Sequence, residues 1–176
     1  AKRLQENAPL ARERSQRLTT ALGKQQSVDA PRRIDLLQTV TQAARLAGIE
    51  PNVSGKADVF MPDSLLSRAL DNLFSNLASG WRDALSRQPV LHIRQVRAAP
   101  GQAQHVELEF FSPWPQQGVR LPPEKLFEPF ASGRPGGLGL GLYQARKSLR
   151  EAGGELQAKP QPDGLAFLLQ LPAPLA

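Results

Sequence analysis

Between residues 126 and 146 the chain reads Leu126-Phe127-Glu128-Pro129-Phe130, then six residues, then Gly137-Leu138-Gly139-Leu140-Gly141-Leu142-Tyr143-Gln144-Ala145-Arg146. No other stretch limits the possible folds so sharply. Two phenylalanines around Glu-Pro make a stiff apolar anchor, because proline fixes its own φ and restricts the residue before it. The short Ser/Gly/Arg loop that follows ends in alternating glycines, which run into a helical pattern. Glycine lets backbone N–H groups approach an anion with no Cβ in the way, and a helix start adds partial positive charge. The expected structure is a lid hinged on a helix N-terminus and closing over a phosphate.

Other phosphate motifs fit badly. A dinucleotide fingerprint places its glycines directly after a buried strand, whereas Ala131-Ser132-Gly133-Arg134-Pro135 precedes them here. The Gly-Lys-Ser/Thr of a P-loop occurs nowhere in the chain.

The 176 residues suit one domain with a small appendage, and a 40% hydrophobic content is enough for a core. No run approaches the ~18 apolar residues of a membrane span. With no cysteine and two histidines, disulfides and thiolate metal sites are excluded and a zinc or haem site is disfavoured. The net charge of +6 raises the question of nucleic acid. Yet the basic residues are scattered and often sit beside acids, as in Arg12-Glu13-Arg14 and Arg150-Glu151. No dense basic run is interleaved with aromatics, so no nucleic-acid partner is expected.

Leu4, Ala8, Ala11, Ser15, Leu18 and Leu22 fall in alternating steps of four and three, a heptad stripe made for a partner helix. An ordinary surface helix is the competing reading of residues 1–27. Ser27 through Pro31 reads as a linker. Ile34, Leu37, Val40, Thr41 and Ala44 are spaced as one face of a helix that ends before Gly48. Short extended pieces follow around Val53 and Val59–Met61. Pro62-Asp63 opens a longer helix with Leu65, Leu66, Ala69, Leu70, Leu73, Phe74 and Leu77 inward. Strands are expected at Val90–Val96 and Val106–Phe111 around a Pro100-Gly101 turn, with a last one through Leu165, Phe167, Leu169 and Leu171. A helix over 140–152, stopped by Gly153-Gly154, completes an α+β sandwich of a mostly antiparallel sheet and helices.

On the long helix, Asn72 and Asn76 are four apart and share a face that the apolar residues leave free. Taken alone they read as surface amides. Together with the Phe-Glu-Pro-Phe anchor and the Gly-Leu-Gly-Leu-Gly run, the chain resembles the ATP-binding catalytic domain of sensor histidine kinases, a GHKL-superfamily domain with the Bergerat fold. In that family an N-box, an F-box, a nucleotide lid and a second glycine box follow in this order. The resemblance covers residues 28–176 and makes residues 1–27 the end of a dimerisation and phosphoacceptor hairpin. It implies ATP and Mg2+ as ligands, with Asn76 coordinating the magnesium and Asn72 close to the phosphates. Gly137, Leu138, Gly139, Leu140 and Gly141 would line the phosphates, and Arg134 in the lid would supply charge to the γ-phosphate. An amide oxygen suits magnesium, which prefers oxygen and keeps several waters.

The same resemblance implies a bacterial two-component system in which a homodimer passes phosphate to a response regulator. The chain would then be a cytoplasmic domain that does not enter the membrane, its parent anchored in the inner membrane. His92 and His105 sit in strand-like runs, so the phosphorylated histidine is expected outside residues 1–176.

The chain departs from the family in two places. Leu77 and Ser79 replace the usual alanine and basic residue after the second asparagine. The first glycine box, Asp-x-Gly-x-Gly, whose aspartate reads the adenine amino group, is missing. Phe110-Phe111-Ser112-Pro113-Trp114-Pro115-Gln116-Gln117-Gly118 stands there instead. Losing the acceptor for a buried amine costs ~1–3 kcal/mol, so adenine nucleotides are expected to bind more weakly than is usual for the fold. Trp114 is expected to fill part of the adenine pocket. Two functions therefore remain open: a kinase domain that donates phosphate to a histidine, and a non-catalytic module that keeps the fold and regulates through protein contacts.

Overall fold

Period-two burial organises the sheet. Leu91 and Ile93, then Val106, Leu108, Phe110 and Ser112, then Leu165, Phe167, Leu169 and Leu171 point to one side, with their neighbours on the other. The computed structural model describes residues 28–83, 88–114, 122–129 and 141–175. In chain order these form β1 (Arg32–Asp35), α1 (Leu36–Leu46), β2 (Asn52–Ser54), β3 (Asp58–Met61), α2 (Asp63–Asp83), β4 (Val90–Val96) and β5 (His105–Pro113). A 3-10 turn at Pro123–Lys125, α3 (Gly141–Glu151), β6 (Glu155–Gln161) and β7 (Gly164–Pro172) follow. The main sheet has the order β2-β4-β5-β7-β6, antiparallel except for the parallel β2–β4 pair. β1 and β3 form a separate antiparallel ladder.

The three helices cover the apolar side of the sheet and share one core with it. At its centre Phe74 and Trp81 of α2 meet Phe110 of β5, which stacks on Phe167 of β7 with centroids 5.4 Å apart. Among the described residues no element covers the other side, which carries charge, with Arg94 bonded to both Glu107 and Glu109 at 2.9 Å. His92 and His105 lie on this side, exposed and half-buried.

Several expectations need correcting. Ile34 is buried in β1, paired with Val59, and does not belong to the helix after it. The inward face of α1 is Leu36, Val40, Ala43 and Ala44, so the true stripe is offset from the one read through Leu37 and Thr41. Asp29, placed in a linker, caps α2 from 34 residues upstream. Its carboxylate accepts the N–H of Asp63 at 3.0 Å, the N–H of Ser64 at 3.3 Å and the Ser64 hydroxyl. The bond from Ser64 holds the Asp29 carboxyl below the usual carboxylate range. β6 was not expected, and β5 runs two residues past Phe111. Gly153, at φ 85°, closes α3, and the Gly154 N–H reaches the Leu149 carbonyl at 2.8 Å. The heptad stripe of residues 1–27 lies outside the described residues.

Candidate phosphate-binding site

α2 and α3 pack against each other with small residues between them. Gly141, Ala145 and Ser148 recur at helical spacing, and the last two are buried. At Gly141 the two helices are in close contact. A Cβ there would stand 3.1 Å from Asn76 Nδ2 and 3.3 Å from the Asn72 carbonyl oxygen. The first residue of α3 is thus set directly against the Asn72–Asn76 face of α2.

Both asparagines are half-buried. The Asn72 amide donates to Gln144 Oε1 at 3.5 Å, while the Asn76 amide has no hydrogen bond among the described residues. No acidic residue occupies the first turn of α3, so among the described residues its N–H groups face no carboxylate of that turn. An amide with no partner among the described residues, beside a helix start with no acid in its first turn, is chemically suited to a phosphate with a hard cation. Among the described residues no cluster of three or more His, Cys, Asp or Glu is placed to hold a metal. Magnesium here would rest on Asn76, the ligand's own oxygens and water.

Gln144 escaped the sequence reading. Its signal was available, because it lies three residues after Gly141 and so on the same face of α3. Arg134, Gly137, Leu138, Gly139 and Leu140 lie outside the described residues. Phe127 of the apolar anchor is held by α3, with the Arg146 guanidinium 4.7 Å from its ring centre. Arg146 also donates to Glu155 at 3.3 Å, alongside Arg150 at 3.1 Å.

One turn past Asn76 the cleft changes character. A Cβ on Gly80 would stand 2.9 Å from the Pro113 carbonyl oxygen and 3.7 Å from Ser112 Oγ, so the end of β5 rests on the α2 backbone. Ser112 is 5% exposed. β5 stays paired with β7 as far as Pro113 and Gly164, and the Trp114 N–H donates to the Asp163 carbonyl at 3.0 Å. Trp114 is half-buried and packs against the core. Gln116 and Gly118 lie outside the described residues.

Comparison with known proteins places this geometry. No protein-family model matches the chain. Over 113 residues, 58% of the chain, it is 35% identical to the two-component sensor PprA of Pseudomonas aeruginosa. The chain spans only 12% of that protein's length. Its structure is similar to the mycobacterial sensor histidine kinase MprB, with a TM-score of 0.60 and 24% identity over 83% of this chain and all of that one. It is also similar to the catalytic domain of the histidine kinase ThkA, with a TM-score of 0.56 and 18% identity over 82% of this chain and 96% of that one. The ATP-binding domain of PrrB from Mycobacterium tuberculosis gives a TM-score of 0.55 and 21% identity, covering 84% of this chain and all of that one. The chain has the α+β fold of histidine kinase ATP-binding catalytic domains. Among the described residues no helix is long and apolar enough to cross a membrane.

Proposed function

We propose that the chain is the ATP-binding catalytic domain of a two-component sensor histidine kinase, passing the γ-phosphate of ATP to a histidine outside residues 1–176. The observation that carries this reading is the meeting of Gly141 with Asn72 and Asn76, which joins a helix N-terminus to two amides. The likeness to PprA supports the assignment to a two-component sensor. In this reading the start of α3 binds phosphate oxygens, Asn76 holds magnesium, and Arg134 approaches the γ-phosphate from the lid. Bound magnesium would offset the charge that builds on the phosphates during transfer. Residues 1–27 belong to the dimerisation hairpin, and a homodimer and a response regulator are the partners. The domain lies in the cytoplasm, below a parent anchored in the inner membrane.

A specific observation favours a second reading, a non-catalytic module with weak nucleotide affinity. Ser112 and Pro113 press on Gly80, at the strand end where the family's adenine contact would lie. Calorimetric titration with a non-hydrolysable ATP analogue, with and without magnesium, decides between them. Magnesium-dependent heat at millimolar nucleotide or below supports the kinase domain. No heat and no thermal shift at that concentration supports the regulatory module.

A further inference from the structure

Three half-buried amides meet where α2 and α3 pack together. Asn72 and Asn76 stand one turn apart on α2, and Gln144 stands on α3, three residues in from Gly141. Gly141, Ala145 and Ser148, which α3 sets against α2, are small. Gln144 adds a long polar side chain beside them, and a half-buried amide needs a partner or water. Asn72 Nδ2 donates to Gln144 Oε1 at 3.5 Å. A contact of that length contributes little stability, but it gives the Asn72 amide a direction. With its N–H held by Gln144, Asn72 turns its side-chain oxygen Oδ1 the other way. That oxygen has no hydrogen bond among the described residues.

Which end an amide presents decides what part of a magnesium nucleotide it meets. Ionised phosphate oxygens accept, so an amide that reaches them offers its N–H. Magnesium and the waters it keeps call for an oxygen, as ligand or as acceptor. Gln144 leaves Asn72 with its oxygen free, on the α2 face that carries Asn76 and meets the start of α3. We propose that Gln144 is a positioning residue for the cation: it holds the Asn72 amide so that Oδ1, and not the N–H, serves magnesium and its waters. This rests on the ATP-binding reading above, and it moves Asn72 from the phosphates to the metal. An amide oriented before the ligand arrives loses less freedom on binding, which is how such partners tune a metal site.

The test titrates the 176-residue chain with a non-hydrolysable ATP analogue, once with magnesium and once with EDTA. Gln144→Met keeps the length of the side chain and removes the amide. It should weaken binding in magnesium about fivefold and change metal-free binding by less than about twofold. Gln144→Glu still accepts the Asn72 N–H and cannot donate. It should keep at least the wild-type ratio of affinities with and without magnesium. In the ligand-free protein, 15N spectra should show the Asn72 side-chain amide shifted by Gln144→Met. An equal loss with and without magnesium, a Gln144→Met variant with the wild-type ratio, an unmoved Asn72 amide, or a Gln144→Glu variant that behaves like Gln144→Met overturns the proposal and leaves the ATP-binding reading standing. A wild-type chain with no magnesium-dependent binding overturns both.

Discussion

Gly141 faces the Asn72–Asn76 stretch of α2 and Gly80 lies about one helical turn beyond Asn76, and each glycine lets something come close. At Gly141 the missing side chain brings the start of α3 up to the Asn72 and Asn76 amides, and the amide of Asn76 has no hydrogen bond among the described residues. At Gly80 it admits the protein's own Pro113 carbonyl, with Ser112 buried beside it. In the proposed reading one device has two outcomes: one end of the cleft takes a ligand, and the other is taken up by the chain. The contrast suggests a site that recognises phosphates better than a base.

The most disruptive test adds one methyl group behind the occupied end. A Cβ on Gly164 would stand 2.2 Å from the Ser112 carbonyl oxygen and 2.7 Å from the Phe111 ring, both in the β5–β7 ladder. Gly164→Ala should therefore cost about 2–3 kcal/mol, or roughly 5–10 °C in Tm. Calorimetric melting checks this, and a wild-type Tm would show that the end of β5 is not held where the contrast needs it.

At the available end, Asn76→Ala should lower affinity for magnesium-nucleotide about tenfold or more and remove its magnesium dependence. Its Tm should stay within about 2 °C of wild type, because Asn76 makes no hydrogen bond among the described residues. Wild-type affinity with magnesium present would remove Asn76 from the site, and unfolding would make it a structural residue instead.

Trp114→Ala separates the two ends. The ring is half-buried against the core, so its loss should cost about 1–2 kcal/mol while nucleotide affinity stays equal or rises. A fall in affinity would mean that the ring supports the ligand and does not exclude it.

The smallest effect belongs to the link between α3 and the Phe127 anchor. At Glu155, burial pushes the carboxyl up, but bonds from Arg150, the Leu156 N–H and Arg146 outweigh it and leave the group below its ordinary value of 4.5. The folded state therefore binds the proton less readily than the unfolded chain does. The stabilisation is complete above about pH 4.5 and is lost as pH falls through the lower folded value. Glu155→Gln should flatten the Tm-against-pH curve in that acid window and lower Tm by about 2 °C or less at pH 7.

What the sequence made legible follows how local its physics is. β4 and β7 were readable because Leu91 and Ile93, and Leu165 through Leu171, bury every second side chain. The end of α3 was marked by Gly153 and Gly154, and the Asn72–Asn76 face by a spacing of four. β6 was hidden because it is an edge strand: from Gln157 onward it is largely exposed, and it contains Pro160, a residue that sequence patterns count against a strand. The Asp29 cap and the Ile34–Val59 pairing join residues far apart in sequence, and no local pattern announces them. The contact of Ser112 and Pro113 with Gly80 is of the same kind. The missing aspartate was plain in the sequence, but what took up its place was not.

The contrast between the two ends is tested most directly by asking how much of the ligand the site reads. Titrations with magnesium present should compare ATP, GTP and inorganic tripolyphosphate on the same protein. If the phosphate end dominates and the base end is compromised, ATP and GTP should bind within about threefold of each other, with tripolyphosphate within about tenfold of both. A preference for ATP over GTP of about a hundredfold or more would show that another group reads the adenine, and would contradict the account.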